Sequence, residues 1–135
     1  MVEDDVDDQQ FIIDALKTLD INNEVKIFEN GQKAYDFLKG TERQPFIIIS
    51  DVNLPLMNGL QLKEEIQKNE LLRLKSIPFI FLTTSADTTA VKEAFDLSAQ
   101  GFFVKANTYN GITHQLKQII DYWKSSRHPN AKELS

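Results

Sequence analysis

Cysteine is absent from this chain of 135 residues. Without thiols, the chain can form neither a disulfide framework nor a thiolate metal site. The absence fits a reducing compartment, so we expect a cytoplasmic protein. Long hydrophobic runs are missing too: no stretch approaches the ~20 apolar residues that a membrane-spanning helix needs. The chain also starts with acidic residues, unlike a secretory signal peptide. We therefore predict no membrane partner.

Blocks of basic residues are also missing. The chain has 15 Lys and Arg against 20 Asp and Glu, a net charge of −5. Nucleic-acid-binding surfaces usually cluster Lys and Arg on one face, so we expect no nucleic-acid partner. Hydrophobic residues make up 41% and charged residues 26% of the chain, which is typical of an ordered globular protein. We predict one folded domain over residues 1–125 and a polar tail over residues 126–135.

The most informative stretch runs from Phe46 to Pro55. Four consecutive apolar residues, three of them β-branched, precede Ser50 and Asp51. This pattern predicts a strand that is buried on both faces, and Pro55 prevents its extension. Asp51 then lies at the C-terminal end of a buried strand, which is where open α/β sheets bind their ligands.

Strand and helix patterns alternate along the whole chain. Strands are predicted at residues 1–2, 25–28, 46–50, 78–83 and 102–104, and helices at about 8–20, 34–38, 60–72, 91–97 and 108–125. Asp7 or Asp8 is the expected N-cap of the first helix, and Asn58-Gly59 is an expected turn. Five strands alternating with five helices predict an α/β domain whose parallel sheet is covered on both faces.

Reactive side chains follow four of the five predicted strands. They are the acidic run from Glu3 to Asp5, then Asp51, Thr83 and Lys105. Because the carboxyl ends of parallel strands share one edge of a sheet, these groups should converge. Two carboxylates ~4 Å apart repel by roughly 1 kcal/mol in water and about 4 kcal/mol at an effective dielectric constant of 20. Magnesium relieves such repulsion, and a carboxylate nucleophile beside a cation, a lysine and a hydroxyl is suited to accepting a phosphoryl group.

Together these segments resemble the response-regulator receiver domains of two-component signalling. The resemblance rests on four segments in family-like order and spacing: Glu3-Asp4-Asp5, Asp51 to Gly59, Leu82-Thr83-Thr84 and Val104-Lys105. Of these, Asp-Val-Asn-Leu-Pro-Leu-Met-Asn-Gly is the most specific. The long charged exit of the third helix also resembles the stand-alone, single-domain receivers that partner phytochrome-type sensor kinases. The resemblance implies a flavodoxin-like, doubly wound, five-stranded parallel sheet of order 2-1-3-4-5.

The resemblance also implies a role for each site residue. Asp51 would be the phosphoacceptor, and Thr83 and Lys105 would each bind a phosphoryl oxygen. Mg²⁺ would be the cofactor, and Thr83 and Phe102 would form the conformational switch. The implied metal ligands are Asp4 directly, Glu3 through water, Asp51, and the backbone carbonyl of Asn53. The acidic pair could also be shifted by one residue, to Asp4 and Asp5.

Three features depart from the family pattern. Ala106 follows the lysine where the family usually has proline, so we expect either a trans bond with a reshaped loop or strain held there. Thr84 is bulkier than the usual Ala or Gly, and we expect it to slow loss of the phosphoryl group. Only Met1 and Val2 precede the acidic run, although a strand usually has about 5–6 residues. We therefore expect either natural residues before Met1 or neighbours that cover the gap.

The expected function is that of a phosphoacceptor and not of an enzyme. The donor would be a sensor histidine kinase, and the output would be a contact with a downstream protein, with a homodimer through the last two helices as a further option. One alternative is a pseudo-receiver that binds its partner without phosphorylation. A second alternative, an aspartyl-phosphate hydrolase, is disfavoured because Asn53 stands where those enzymes place a second aspartate as general acid.

Overall fold

The computed structural model describes residues 1–84 and 87–127. Within these residues it contains three strands and six helices. The strands are β1 (Ile48–Ser50), β2 (Phe79–Thr83) and β3 (Gly101–Val104). The helices are α1 (Val6–Thr18), α2 (Gly31–Gly40), α3 (Gly59–Lys68), α4 (Glu70–Leu74), α5 (Thr88–Asp96) and α6 (Tyr109–Ser125). Most of the predicted polar tail, residues 128–135, lies outside the described residues.

The sheet is parallel, with the order β1-β2-β3. Two single bridges extend it, because Val2 pairs in parallel with Ser50 on one side and with Phe28 on the other. The Val2 amide donates to the Ile49 carbonyl at 2.9 Å, and the Asp51 amide donates to the Val2 carbonyl at 3.0 Å. The predicted order 2-1-3-4-5 is therefore confirmed, but two of the five predicted strands are reduced to one bridging residue each.

The strands beside the first segment are also shorter than predicted. Residues 25–27 and 46–47 are not strands, and Val2 alone bridges to both sides. The amino group of Met1 donates to the Lys26 carbonyl at 3.0 Å, and burial lowers its pKa to about 6. Beyond Met1 lies a groove of about 330 Å³, which neighbouring side chains line but do not fill. Its lining includes Val25, Phe28, Phe37, Leu38, Ile47 and Ile49.

Both faces of the sheet are covered, as a doubly wound fold requires. Side chains alternate along β2, so that Phe79 and Phe81 pack on one face, and Ile80 and Leu82 on the other. The first face packs against α2, α3 and α5, and the second against α1 and α6. In the described part of the chain, no helix combines the length and hydrophobicity needed to cross a membrane.

Three predictions about helix ends are wrong. Asp5, not Asp7 or Asp8, caps α1, since its side chain accepts from the Asp8 amide at 2.9 Å. The predicted third helix is two helices, which brings the total within the described residues to six. Asn69 ends α3 and caps α4 through its side chain. Asn58 is the N-cap of α3 in a capping box with Gln61, not part of an isolated turn.

The open groove leads to a prediction about stability. An engineered extension Ile-Val-Ile-Val before Met1 should pair with residues 23–26 and 45–48 and raise the free energy of unfolding by about 3 kcal/mol or more. The reason is that each further buried aliphatic side chain contributes roughly 1.5–3 kcal/mol. Urea denaturation measures the change. A Gly-Ser-Gly-Ser extension is the control, and equal stability of the two proteins would show that the groove does not accept a strand.

Candidate functional site

Asp51 is fixed by the backbone around the end of β1. Its carbonyl oxygen accepts from the Ser50 hydroxyl at 2.8 Å. The same carbonyl oxygen lies only 2.1 Å from the point where a Cβ on residue 59 would stand. Any residue other than glycine at position 59 would push the Asp51 backbone away. The Gly59 amide also donates to the Val52 carbonyl at 2.9 Å, which closes the loop onto the first turn of α3.

The carboxylate of Asp51 contacts the two groups that were expected beside it, Thr83 at the end of β2 and Lys105 after β3. Its Oδ1 atom accepts from the Thr83 hydroxyl at 2.7 Å and from the Asn53 amide at 3.0 Å. Its Oδ2 atom accepts from the Lys105 ammonium at 3.3 Å. Thr83 is fully buried, whereas Asp51 remains 8% exposed at the edge of the sheet.

Lys105 joins three carboxylates. Its Nζ atom lies 2.6 Å from Glu3 Oε1, 3.0 Å from Asp8 Oδ2 and 3.3 Å from Asp51 Oδ2. An ammonium group has three N–H donors, so each donor has a carboxylate acceptor. Burial acts to lower the pKa of Lys105, but the hydrogen bonds to Glu3 and Asp8 and the charges of Glu3 and Asp51 outweigh it and raise the pKa. Lys105 is therefore a fixed cation.

Glu3 is the most deeply buried acid of the group. It is 2% exposed, its Oε2 atom accepts from the Asp5 amide at 3.2 Å, and its carbonyl accepts from Gln9 Nε2 at 2.7 Å. Burial raises the pKa of Glu3, and the charge of Asp51 adds to that rise, whereas the hydrogen bond and charge of Lys105 oppose it. The ammonium of Lys105 thus favours the ionised form of this carboxylate.

The acidic run divides into different roles. Asp4 is exposed at the end of the first strand, and Asp5 is committed to capping α1. Asp8 joins the site although the sequence placed it only as a helix cap. The position of the N-cap could have predicted that Asp8 belongs to the site, because it decides which side chains of the first turn face the sheet. Once α1 begins at Val6, Asp8 faces the sheet edge and is partly buried, whereas Asp7 is exposed.

The acidic side chains at this edge are of the type that binds a hard divalent cation. In the described part of the chain, no three His, Cys, Asp or Glu side chains are grouped so that they could hold a metal ion. The ammonium of Lys105 is instead the shared cation of Glu3, Asp8 and Asp51. Three carboxylates against one ammonium leave two surplus negative charges if all are ionised. Oxygen ligands with surplus negative charge are the environment that Mg²⁺ prefers.

Three further predicted positions lie around this cluster. Phe102 is half-buried on β3, and its ring centroid is 5.8 Å from that of Phe81. Thr84 is exposed directly after the buried Thr83. The Lys105–Ala106 peptide bond is trans, since the described residues contain no cis bond. The trans bond of the first alternative is therefore confirmed.

A doubly wound sheet with an acidic pocket, a threonine and a lysine at its carboxyl edge defines a receiver. Residues 1–117 match the response regulator receiver domain family. The chain therefore belongs to the receiver domains of two-component signalling.

Individual relatives match almost the whole chain. The chain is 29% identical over 128 residues to the response regulator Rcp1 of Synechocystis, and the match covers 91% of this chain and 86% of that protein. Its fold matches the phosphorylated cyanobacterial phytochrome response regulator RcpA with a TM-score of 0.87 and 25% identity, over 96% of this chain and 95% of that one. The Mn²⁺-bound form of Rcp1 matches with a TM-score of 0.81 and 26% identity, over 99% and 96%.

The buried ammonium leads to a prediction about stability. Lys105→Met should lower the free energy of unfolding by about 3–5 kcal/mol, because it leaves buried carboxylates without their cation. Lys117→Met is the matched control, since it removes an exposed pair with Asp121 and should cost less than about 1 kcal/mol. Urea denaturation of both variants at neutral pH measures the difference. Equal losses of unfolding free energy in the two variants would show that the buried cluster adds no more to stability than an exposed ion pair.

Proposed function

We propose that Asp51 is the phosphoacceptor of a two-component phosphorelay. The observation that carries this proposal is the position of the Asp51 carboxylate and of its two hydrogen-bond donors. The carboxylate lies at the carboxyl edge of the sheet, with the Thr83 hydroxyl on one oxygen and the Lys105 ammonium on the other. A hydroxyl donor and a fixed cation at these positions are also suited to bind the oxygens of a phosphoryl group attached to Asp51.

The proposed reaction is a transfer between two nucleophiles. A carboxylate oxygen of Asp51 attacks the phosphorus atom of a kinase phosphohistidine, the phosphorus–oxygen bond forms, and the phosphorus–nitrogen bond breaks. The electron pair of the broken bond returns to the imidazole, which takes up a proton. Asp51 becomes an acyl phosphate, whose oxygens Lys105 and Thr83 then bind. The chain supplies the nucleophile and its positioning, and it is not an enzyme in the usual sense.

Magnesium is the proposed cofactor. Asp4, Asp51 and the carbonyl of Asn53 would bind it directly, and Glu3 would act through water. The bound ion supplies neutralisation of the charge on the phosphoryl oxygens. Support comes from the surplus negative charge at this edge and from the Mn²⁺-bound form of the related Rcp1. The shifted pair of Asp4 and Asp5 is less favoured, because Asp5 already caps α1.

Phosphorylation is proposed to act as a switch through Thr83 and Phe102. The phosphoryl group brings three acceptor oxygens and a charge of about −1.5 to −2 in place of the single negative charge of the carboxylate. The Thr83 hydroxyl would leave Asp51 Oδ1 for a phosphoryl oxygen, and Phe102 would turn inward into the space that opens. The surface of α5, β3 and α6 would then change, and it carries the exposed apolar side chains of Phe95, Val104 and Tyr122.

The proposed partners follow from this scheme. A sensor histidine kinase donates the phosphoryl group, and a downstream protein reads the surface of α5, β3 and α6. A homodimer through α5 and α6 is a second use of the same surface. The relation to RcpA supports a phytochrome-type kinase as the donor. We assign the receiver to residues 1–125 and a polar tail to residues 126–135, and we expect the protein in the cytoplasm.

Acetyl phosphate tests the phosphoacceptor directly. With Mg²⁺, the intact mass of the protein should increase by one phosphoryl group, and Asp51→Asn should abolish the increase, because an amide is not a nucleophile here. Asp36→Asn, an exposed substitution on α2, is the control and should leave it unchanged. No increase in the unmodified protein would favour a pseudo-receiver. Steady turnover of a phosphomonoester would favour a hydrolase, despite the amide of Asn53.

The phosphoryl lifetime tests Thr84. Its side chain is exposed beside the phosphoryl-binding hydroxyl of Thr83, where it would restrict the approach of water. Thr84→Ala should therefore shorten the lifetime of the acyl phosphate, measured as loss of the added mass after acetyl phosphate is removed. Thr84→Val, which keeps the bulk without the hydroxyl, should preserve the lifetime. An unchanged lifetime in Thr84→Ala would remove this role.

A further inference from the structure

The segment around Lys105 is held by a side chain that no part of the phosphotransfer scheme uses. Gln115, on the second turn of α6, donates from Nε2 to the Val104 carbonyl at 2.6 Å. Its Oε1 atom accepts from the Ala106 amide at 2.9 Å. One amide group therefore binds the backbone on both sides of Lys105.

The remaining contacts of this loop are equally close. The Lys105 amide donates to the Thr83 carbonyl at 2.6 Å, which aligns the end of β3 with the end of β2. The first turn of α6 packs directly on the loop, because a Cβ on Gly111 would stand 2.6 Å from the Cβ of Ala106. Ala106 itself has no ring that restricts its backbone, so the direction of the chain after Lys105 depends on these contacts.

The chemistry of the contact suits a carboxamide. The Val104 carbonyl needs a donor and the Ala106 amide needs an acceptor, and a carboxamide offers the two on separate atoms of one neutral, planar group. Within the described sheet β3 is an edge strand, so the polar groups at its end have no further strand beside them. A hydrocarbon of the same length would fill the space but leave both groups without this partner.

We propose that Gln115 is a positioning residue for Lys105. By binding Val104 and Ala106 together, it fixes the backbone from which the Lys105 side chain reaches Glu3, Asp8 and Asp51. Its effect on phosphorylation passes entirely through the ammonium of Lys105. This inference rests on the proposed function, since the ammonium matters there as a ligand of the phosphoryl group.

The first test reads the position of Lys105 without any phosphotransfer. In protein with ¹⁵N-labelled lysine, a buried ammonium bound by three carboxylates should give a resolved NMR signal that exchanges slowly with water. Gln115→Met should broaden or abolish the Lys105 signal. Gln118→Met, an exposed substitution on the same helix, should preserve it. An unchanged signal in Gln115→Met would overturn the proposal.

The second test is a double-mutant cycle on the rate of phosphorylation by acetyl phosphate. Gln115→Met should slow the reaction about tenfold to a hundredfold, the loss expected when a catalytic group is displaced by about 1 Å. In a Lys105→Met background, the same substitution should have no further effect, because coupled residues are not additive. An equal loss in both backgrounds would show that Gln115 has only a structural role.

The two tests separate the two proposals. If the unmodified protein gains no phosphoryl group at Asp51, the proposed function fails, and the NMR signal still decides whether Gln115 positions Lys105. If Lys105→Met does not fold, the NMR signal again decides alone. If Asp51 is phosphorylated normally in Gln115→Met, the positioning role fails while the proposed function stands.

Discussion

The site depends on one buried ammonium. Lys105 binds Glu3 at the end of the first strand, Asp8 in the first turn of α1 and Asp51 at the end of β1. Without a cation these carboxylates would repel one another, and repulsion between buried charges is stronger than in water. Moving charges out of water is itself unfavourable, and the contacts compensate only when the geometry is good. The positions of three chain segments are therefore tied to a single side chain.

This arrangement explains how a local chemical change could reach distant surfaces. Asp51 shares its oxygens with Thr83 and Lys105, so a phosphoryl group on Asp51 would compete for both partners at once. The Lys105 backbone is in turn bound to β2, and its neighbours are bound to α6. A shift of the Lys105 ammonium would therefore strain the contacts of its backbone with β2 and with α6.

The same domain is complete at one edge of its sheet and open at the other. At the carboxyl edge, the Val2 backbone binds the Ile49 carbonyl and the Asp51 amide, the backbones of Met1 and Glu3 bind Phe28, and the site residues follow directly. At the opposite edge, the sheet is interrupted beyond Met1 and a groove replaces it. The backbone at the site is therefore held to its neighbours by a short piece of the central strand, Met1 to Glu3. Stabilising that strand should change the stability of the fold more than the chemistry of Asp51.

The amino-acid sequence by itself determined the parallel α/β fold and placed Asp51, Thr83 and Lys105 at the strand ends, whereas the strand order followed only from the resemblance to receiver domains. These features depend on local periodicity and on the rule that parallel strands end at one edge. The tertiary structure decided that Asp5 caps α1, that Asp8 binds Lys105 and that Gln115 binds the loop. One residue of shift turns a helical side chain by about 100° and moves a strand side chain to the other face, and packing alone fixes that shift.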